Sequence, residues 1–165
     1  MRRSQASVFA SVALVSIGCD HASKQIAGHA LAGAPGISVA GDMLRFELVS
    51  NSGAFLSLGA TLPTGLREAL LLVGVPVLLA IFCMLLLRGP TVRSREILAL
   101  GLIVGGGLAN WLDRLLHDGA VTDFVSLGLG PLRTGIFNLA DVAIVAGLLI
   151  LVLPGGSVTR PHRTI

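Results

Sequence analysis

A chain of 165 residues has room for a single domain. With 53% hydrophobic and 13% charged residues and a mean hydropathy of +0.86, it cannot cover a water-facing surface, which excludes an ordinary soluble globule. The net charge of +3 comes from scattered basic residues with no aromatic-plus-basic run, which excludes nucleic acid as the partner.

A membrane helix needs roughly 20 mostly apolar residues. The first apolar run, Val8 to Cys19, reaches that length only by continuing through Asp20, His21 and Lys24, which gives a span at about 8–29. Ser16-Ile17-Gly18-Cys19 resembles a weak lipoprotein cleavage box, but Ser16 stands where a larger aliphatic is usual, so the run is read as an uncleaved span. Asp20 and Lys24 are spaced i, i+4 and share one helix face. Two readings of them stand open: mutual neutralisation at the interface, and direct contact with a substrate. Cys19 and Cys83 lie in apolar runs without metal-ligand spacing and read as small apolar fillers.

The loop at about 30–66 contains Met43-Leu44-Arg45-Phe46-Glu47-Leu48-Val49, in which polar and apolar residues partly alternate. This predicts short strands between Met43 and Leu58 with a turn at Gly41-Asp42. Such strands must lie outside the hydrocarbon, where open sheet edges are not tolerated. Ala69 to Leu87 carries no charge and predicts a second span at about 67–88. Ile97 to Leu112 predicts a third, at about 96–115, with Gly105-Gly106-Gly107 allowing close approach of another helix. At its end Asn110, Asp113 and Arg114 share a face, with Asp113 expected to hold Arg114 in place; an interfacial salt bridge that only anchors the helix is the plainer alternative. The loop at about 116–136 carries Val121-Thr122-Asp123-Phe124. The fourth span, at about 137–154, opens with Phe137-Asn138-Leu139-Ala140-Asp141. Asn138 can act as an N-cap, whereas Asp141 is expected to lie too deep for capping.

Orientation follows from the basic residues. Arg2, Arg3, Arg88, Arg93, Arg95, Arg160 and Arg163, seven of the twelve, fall on one side if four spans alternate, while only Glu96 of the nine acids does. Both termini are therefore expected in the cytoplasm. The pattern describes an α-helical integral membrane protein of four transmembrane helices, forming one domain over 1–165, with a small extracytoplasmic β-sheet between the first and second helices.

Ionisable groups within hydrocarbon cost at least about 2.5 kcal/mol each, so those present are functional candidates. Here they gather at the outer ends of the spans. Two acids at one depth on neighbouring helices can form a pair that shares one proton. No His-Glu-x-x-His or Gly-x-Ser-x-Gly is present, which disfavours a zinc protease and a serine nucleophile. A proton-coupled carrier fits poorly, because there is no internal repeat and the polar residues cluster at one face. A purely structural subunit leaves Asp141 unexplained.

Five blocks in order resemble the lipoprotein signal peptidase (signal peptidase II) family: Asp20-x-x-x-Lys24, Asn51-Ser52-Gly53-Ala54-Phe55, Gly106-x-x-x-Asn110-x-x-Asp113-Arg114, Val121-x-Asp123-Phe124 and Phe137-Asn138-x-Ala140-Asp141. The resemblance covers essentially the whole chain. It implies an aspartic endopeptidase of the bacterial inner membrane that cuts a prolipoprotein just before its diacylglyceryl-bearing cysteine, acting as a monomer at the outer face, in contact with membrane lipid. It also implies that Asp123 and Asp141 are catalytic, and that Asn51, Gly53, Asn110, Asp113, Arg114, Asn138, Asp20 and Lys24 bind substrate or support the site. No metal or organic cofactor is implied. Ala109, where many members have glycine, and Phe55-Leu56, where Ala-Phe is common, depart from the pattern.

Overall fold

The computed structural model describes residues 2–53, 61–87 and 92–153. Chain order is α1 (Arg3–Leu31), β1 (Ile37–Val39), β2 (Leu44–Asn51), α2 (Thr64–Glu68), a π-helical stretch (Ala69–Gly74), α3 (Val75–Leu87), α4 (Ser94–Leu116), β3 (Val121–Leu129), β4 (Leu132–Arg133) and α5 (Leu139–Val152). By length and composition, α1, the continuous run from Thr64 to Leu85, and α4 are each able to cross a membrane, while α5 is a shorter apolar helix. Their outward residues are apolar: Leu14, Val15 and Ile26 on α1, Leu78 and Leu85 on α3, and Leu149 and Val152 on α5 are all exposed. A surface of this kind fits a lipid solvent and not water. The chain is an integral membrane protein.

α4 is the central helix and packs against α1, α3 and α5. Its three consecutive glycines explain how. Successive residues turn about 100° around a helix of 3.6 residues per turn, so each glycine faces a different neighbour. A methyl group on Gly105 would meet Ala13 O of α1 at 2.7 Å. On Gly106 it would collide with Ala140 O of α5, and on Gly107 it would meet Leu79 Cδ1 of α3 at 2.7 Å. Gly101, one turn before Gly105, is closed off by Val12 of α1 in the same way. The triplet therefore seats three helices rather than one.

Local chemistry sets the helix ends. The Arg93 N–H donates to Glu96 Oε2 at 2.8 Å, which gives α4 a capping acid in its first turn. The wide π turn beside Gly74 has a tertiary partner, since Trp111 Nε1 donates to Leu72 O at 2.9 Å.

The strands form one antiparallel sheet in the order β1-β2-β3-β4. The turn at Gly41-Asp42 is present, with positive φ at Ala40, Gly41 and Asp42. The sheet is wider than strands confined between the first and second helices would make it. β3 and β4 come from the connection between α4 and α5. A two-stranded ribbon alone is marginal, and Val121 to Leu129 supplies the third strand, pairing Phe46 with Val125 and Asn51 with Val121. Phe137 extends the ladder, donating to Val125 O at 2.8 Å and accepting from Val125 N–H at 3.0 Å. Beneath the sheet, Ala27 and Leu31 at the end of α1 pack on Phe124, with Phe46 and Val125 beside them. Residues 54–58, the rest of the segment expected to form strands, lie outside the described residues, as do Ala54 and Phe55 of the second sequence block and the departing Phe55-Leu56 pair.

Candidate active site

α4, α5 and the sheet converge where α5 begins. Asn138 is the N-cap: its Oδ1 accepts from Asp141 N–H at 3.0 Å, and Asp141 Oδ2 accepts in return from Asn138 N–H at 3.3 Å. This corrects the expectation that Asp141 lies too deep for capping. The helix starts at Leu139, so Asp141 is its third residue and completes a capping box. The cap also aims the carboxylate, because one of its oxygens is fixed by the backbone of its own helix.

Asp123 arrives from the sheet. Asn51 pairs with Val121, and Val121 and Asp123 lie on one face of β3, so Asn51 and Asp123 are diagonal neighbours. Asn51 Nδ2 donates to Asp123 Oδ2 at 2.8 Å, and Asn138 Nδ2 donates to Asp123 Oδ1 at 2.6 Å. Burial pushes the Asp123 carboxyl above the ordinary carboxylate range; the donors on Asn51 and Asn138 pull the other way but do not cancel it.

Asn110 joins the two acids. Its Nδ2 donates to Asp141 Oδ1 at 2.9 Å, and its Oδ1 accepts from Asn138 Nδ2 at 3.0 Å. A continuous chain of carboxamides thus runs from Asp123 through Asn138 and Asn110 to Asp141. Every member is buried, with Asp123 2% and Asn138 1% exposed. A buried polar network of this kind is tolerable only when its members are satisfied.

Lys24 stands behind Asn110 and uses all three of its donors: Asp20 Oδ2 at 2.6 Å, Asp113 Oδ2 at 2.9 Å and Asn110 Oδ1 at 3.1 Å. Neutralisation of Asp20 is therefore only part of its role, since it also fixes the asparagine that touches Asp141. Asp20 Oδ1 accepts from Ala140 N–H at 2.8 Å. Asp113 does not hold Arg114 as expected. It binds Lys24 and accepts from the Thr122 N–H at 3.0 Å, tying α4 to β3. Arg114 instead donates to Asn110 O at 3.1 Å and to Gly53 O at 2.7 Å, and Gly53 N–H donates to Asn51 Oδ1 at 2.9 Å. The reason is geometric: Asp113 faces α1 and β3, while Arg114, one residue on, turns toward the end of β2. All ten residues singled out in the sequence meet in one cluster. The backbone donors of Thr122 and Ala140 were invisible in sequence, since a main-chain N–H carries no residue signature. His117 Nδ1 lies 3.0 Å from Asp113 O, a contact that only the i, i+4 spacing hints at. Among the described residues no group of His, Cys, Asp and Glu is arranged to hold a metal ion.

An apolar groove of about 310 Å³ runs from Asp141 along α5, lined by Phe137, Val142, Val145, Ala146 and Leu149. Paired buried acids in a carboxamide frame, beside a lipid-facing apolar groove, define a membrane-embedded protein with a polar centre at one end of its helices. Residues 12–154 match the signal peptidase (SPase) II family, and the chain belongs to it: it is a signal peptidase of the lipoprotein-processing kind. It is 34% identical over 148 residues to a lipoprotein signal peptidase of Mycobacterium leprae, covering 87% of this chain and 68% of that one. It is 33% identical over 160 residues to one of Streptomyces griseus, covering 94% and 76%. The fold is shared with a solved bacterial membrane enzyme at a TM-score of 0.75 and 20% identity, covering 88% of this chain and 90% of that one.

Proposed function

We propose that this peptidase works by aspartic chemistry, with Asp123 and Asp141 as the catalytic pair, and that it removes the signal peptide from prolipoproteins just before a diacylglyceryl-modified cysteine. The observation that carries this reading is Asn138. One side chain bonds Asp123, caps the helix of Asp141 and touches Asn110, so both acids are held in one frame. Two carboxyls joined through one buried asparagine do not both ionise cheaply, so the pair shares one proton. The ionised acid takes a proton from water, and the water oxygen attacks the scissile carbonyl carbon. The protonated acid donates to the carbonyl oxygen. The tetrahedral intermediate then breaks its C–N bond: the cysteine amine takes the proton that the first acid drew from water, a hydroxyl of the intermediate returns a proton to the second acid, and no covalent enzyme adduct forms.

The topology proposed with it has four spans, at about 8–29, 67–88, 96–115 and 137–154. Both termini lie in the cytoplasm of a bacterial inner membrane, with the sheet and the acid pair at the outer face. The excess of arginine on one side supports this. The outer face is also where water and a lipid-anchored cysteine meet. The enzyme acts as a monomer and uses no metal or organic cofactor.

Incubation of the purified protein with a diacylglyceryl-modified prolipoprotein tests the activity. The expected product begins at the modified cysteine; an uncleaved substrate, or cleavage elsewhere, would falsify the reading. Reporter fusions at Val92 and Gly119 test the topology and should report opposite sides.

A further inference from the structure

The segment Leu127-Gly128-Leu129-Gly130-Pro131-Leu132 contains no polar side chain, yet it lies in the sheet rather than in a helix. Leu129 pairs with Leu132 across a Gly130-Pro131 turn, which Gly130 permits with φ of +59°. The tip points away from the protein: Leu132 is 76% and Leu129 70% exposed, and Leu127 and Met43 behind them are about half exposed. These side chains flank an open, largely apolar concavity of about 600 Å³ between the start of β2 and the hairpin. A cluster of large apolar side chains on an exposed loop marks a site of contact with another apolar phase.

We propose that the β3–β4 hairpin is a membrane anchor, whose Leu129 and Leu132 side chains reach into the headgroup–acyl boundary of the leaflet at the sheet's end of the helices while the strand edges stay outside the hydrocarbon. Lipid is the occupant for two reasons. The concavity reaches Thr134, which also begins the apolar groove running past Phe137 onto α5, so the tip is continuous with the lipid-facing surface of the bundle. The polar base of the tip has the charge that lipid phosphates require. Arg133 Nη2 and Arg45 Nη2 each bond Asp42 Oδ2 at 2.8 Å, two cations to one carboxylate, and Arg133 Nη1 also bonds Ser126 Oγ at 3.0 Å. A net positive group held rigidly beside an apolar wedge fits the headgroup layer.

The anchor bears on the site because β3 is a single strand from Leu129 back to Asp123. Six residues of strand span roughly 20 Å, so lipid contact at one end fixes the height of the carboxylate at the other.

Leu132→Trp in vesicles of phosphatidylcholine and phosphatidylglycerol tests the proposal by fluorescence, with the Trp111 signal subtracted using the unsubstituted protein; Leu129→Trp gives a second position. The expected result is blue-shifted emission from the added indole, strong quenching by lipids brominated near the glycerol end of the acyl chain, and little quenching by aqueous iodide. An indole open to iodide and untouched by bromolipid overturns the anchor. Protection that appears only on adding lipidated prolipoprotein also overturns it, and assigns the tip to substrate chains. Protection that rises only with protein density does the same in favour of a second copy of the chain.

Discussion

Asp20 on α1 caps α5 across the bundle: its Oδ1 accepts the Ala140 N–H at 2.8 Å, although 120 positions separate the two in sequence. The other oxygen holds Lys24 at 2.6 Å. One carboxylate thus satisfies a helix N-terminus and a buried cation together, both of which favour negative charge. Through Lys24 it also fixes Asn110, and so the donor to Asp141.

Asp20→Ala strands Lys24 between Asp113 and Asn110 and leaves Ala140 N–H uncapped. Lys24 keeps Asp113 at 2.9 Å, so the cost stays below the about 3–5 kcal/mol of a fully broken buried pair, but with Ala140 N–H left uncapped thermal unfolding in detergent should move to lower temperature. Asp20→Asn keeps an acceptor for Ala140 and should fall between Asp20→Ala and the unsubstituted protein. An Asp20→Ala protein that unfolds at the original temperature would show that something else seats α5.

The glycine triplet predicts an unequal series. An added methyl at Gly106 meets a backbone carbonyl, Ala140 O, which cannot yield without moving α5. At Gly107 it meets the end of the Leu79 side chain, which can change rotamer. Overpacking costs about 1–3 kcal/mol, and Gly106→Ala should sit at the high end. It should also cut activity, since Asn110 and Asn138 are held at 3.0 Å by that helix contact. Gly107→Ala should be milder on both counts, as read by unfolding temperature and cleavage rate.

Stability should respond to pH through Asp123. Its folded value lies above the ordinary 3.8, so just above pH 3.8 the folded state holds a proton that the unfolded state has released. Stability then falls as pH rises through that window. Asp123→Asn removes this slope while adding a pH-independent offset. The unfolding temperature of the variant relative to the parent should therefore climb as pH is raised from about 4, and a constant difference across the window would contradict the burial argument.

Much of this was legible in sequence, for identifiable reasons. Apolar runs with end charges located the long helices, and i, i+3 and i, i+4 spacings put Asn110, Asp113 and Arg114 at one end of α4. The pairing of those charges was not legible. Asp113 and Arg114 are adjacent, which suggested a couple, but neighbours on a helix point about 100° apart. One finds Lys24 and the other finds Gly53. The start of α5 is legible in part: Asn138 reads as an N-cap, but Phe137 reads as part of the apolar run although it pairs with β3. The third and fourth strands are not legible because the partner of Val121 to Leu129, strand β2, lies far back in the chain, before two intervening spans.

Arg114 bridges α4 to the turn after β2 through two donors on one planar group, Nη1 to Asn110 O and Nη2 to Gly53 O. Lysine presents a compact ammonium without that fork. Arg114→Lys should loosen the Gly53 turn and with it Asn51, the donor to Asp123. Misplacement on the order of 1 Å can cost about a hundredfold in rate. The expected outcome is a lower kcat with a nearly normal unfolding temperature. Full activity in Arg114→Ala would reduce this residue to a helix anchor.

The acid pair makes the most direct demand. Asp123→Asn and Asp141→Asn should each lower cleavage by at least roughly 10²–10⁴-fold, since an amide cannot cycle a proton. Each substitution has a structural cost that is small beside its cost in rate, which separates chemistry from folding. Asp141→Asn keeps a side-chain oxygen for the Asn138 N–H, so the cap of α5 survives, but Asn110 Nδ2 loses the acceptor it has on Asp141 Oδ1, a loss of about one hydrogen bond, about 1 kcal/mol. Asp123 receives two amide donors, from Asn51 and Asn138, and Asp123→Asn leaves only one oxygen to accept them. That variant should lose the worth of about one hydrogen bond, about 1 kcal/mol, on top of its loss of activity. Serine-directed, thiol-directed and chelating inhibitors should leave the parent enzyme untouched. If either variant turns over at a near-normal rate, the pair is not catalytic. Asp113 is then a poor substitute, because Lys24 and the Thr122 N–H already occupy it; the search would turn to residues that reach the groove beside Asp141.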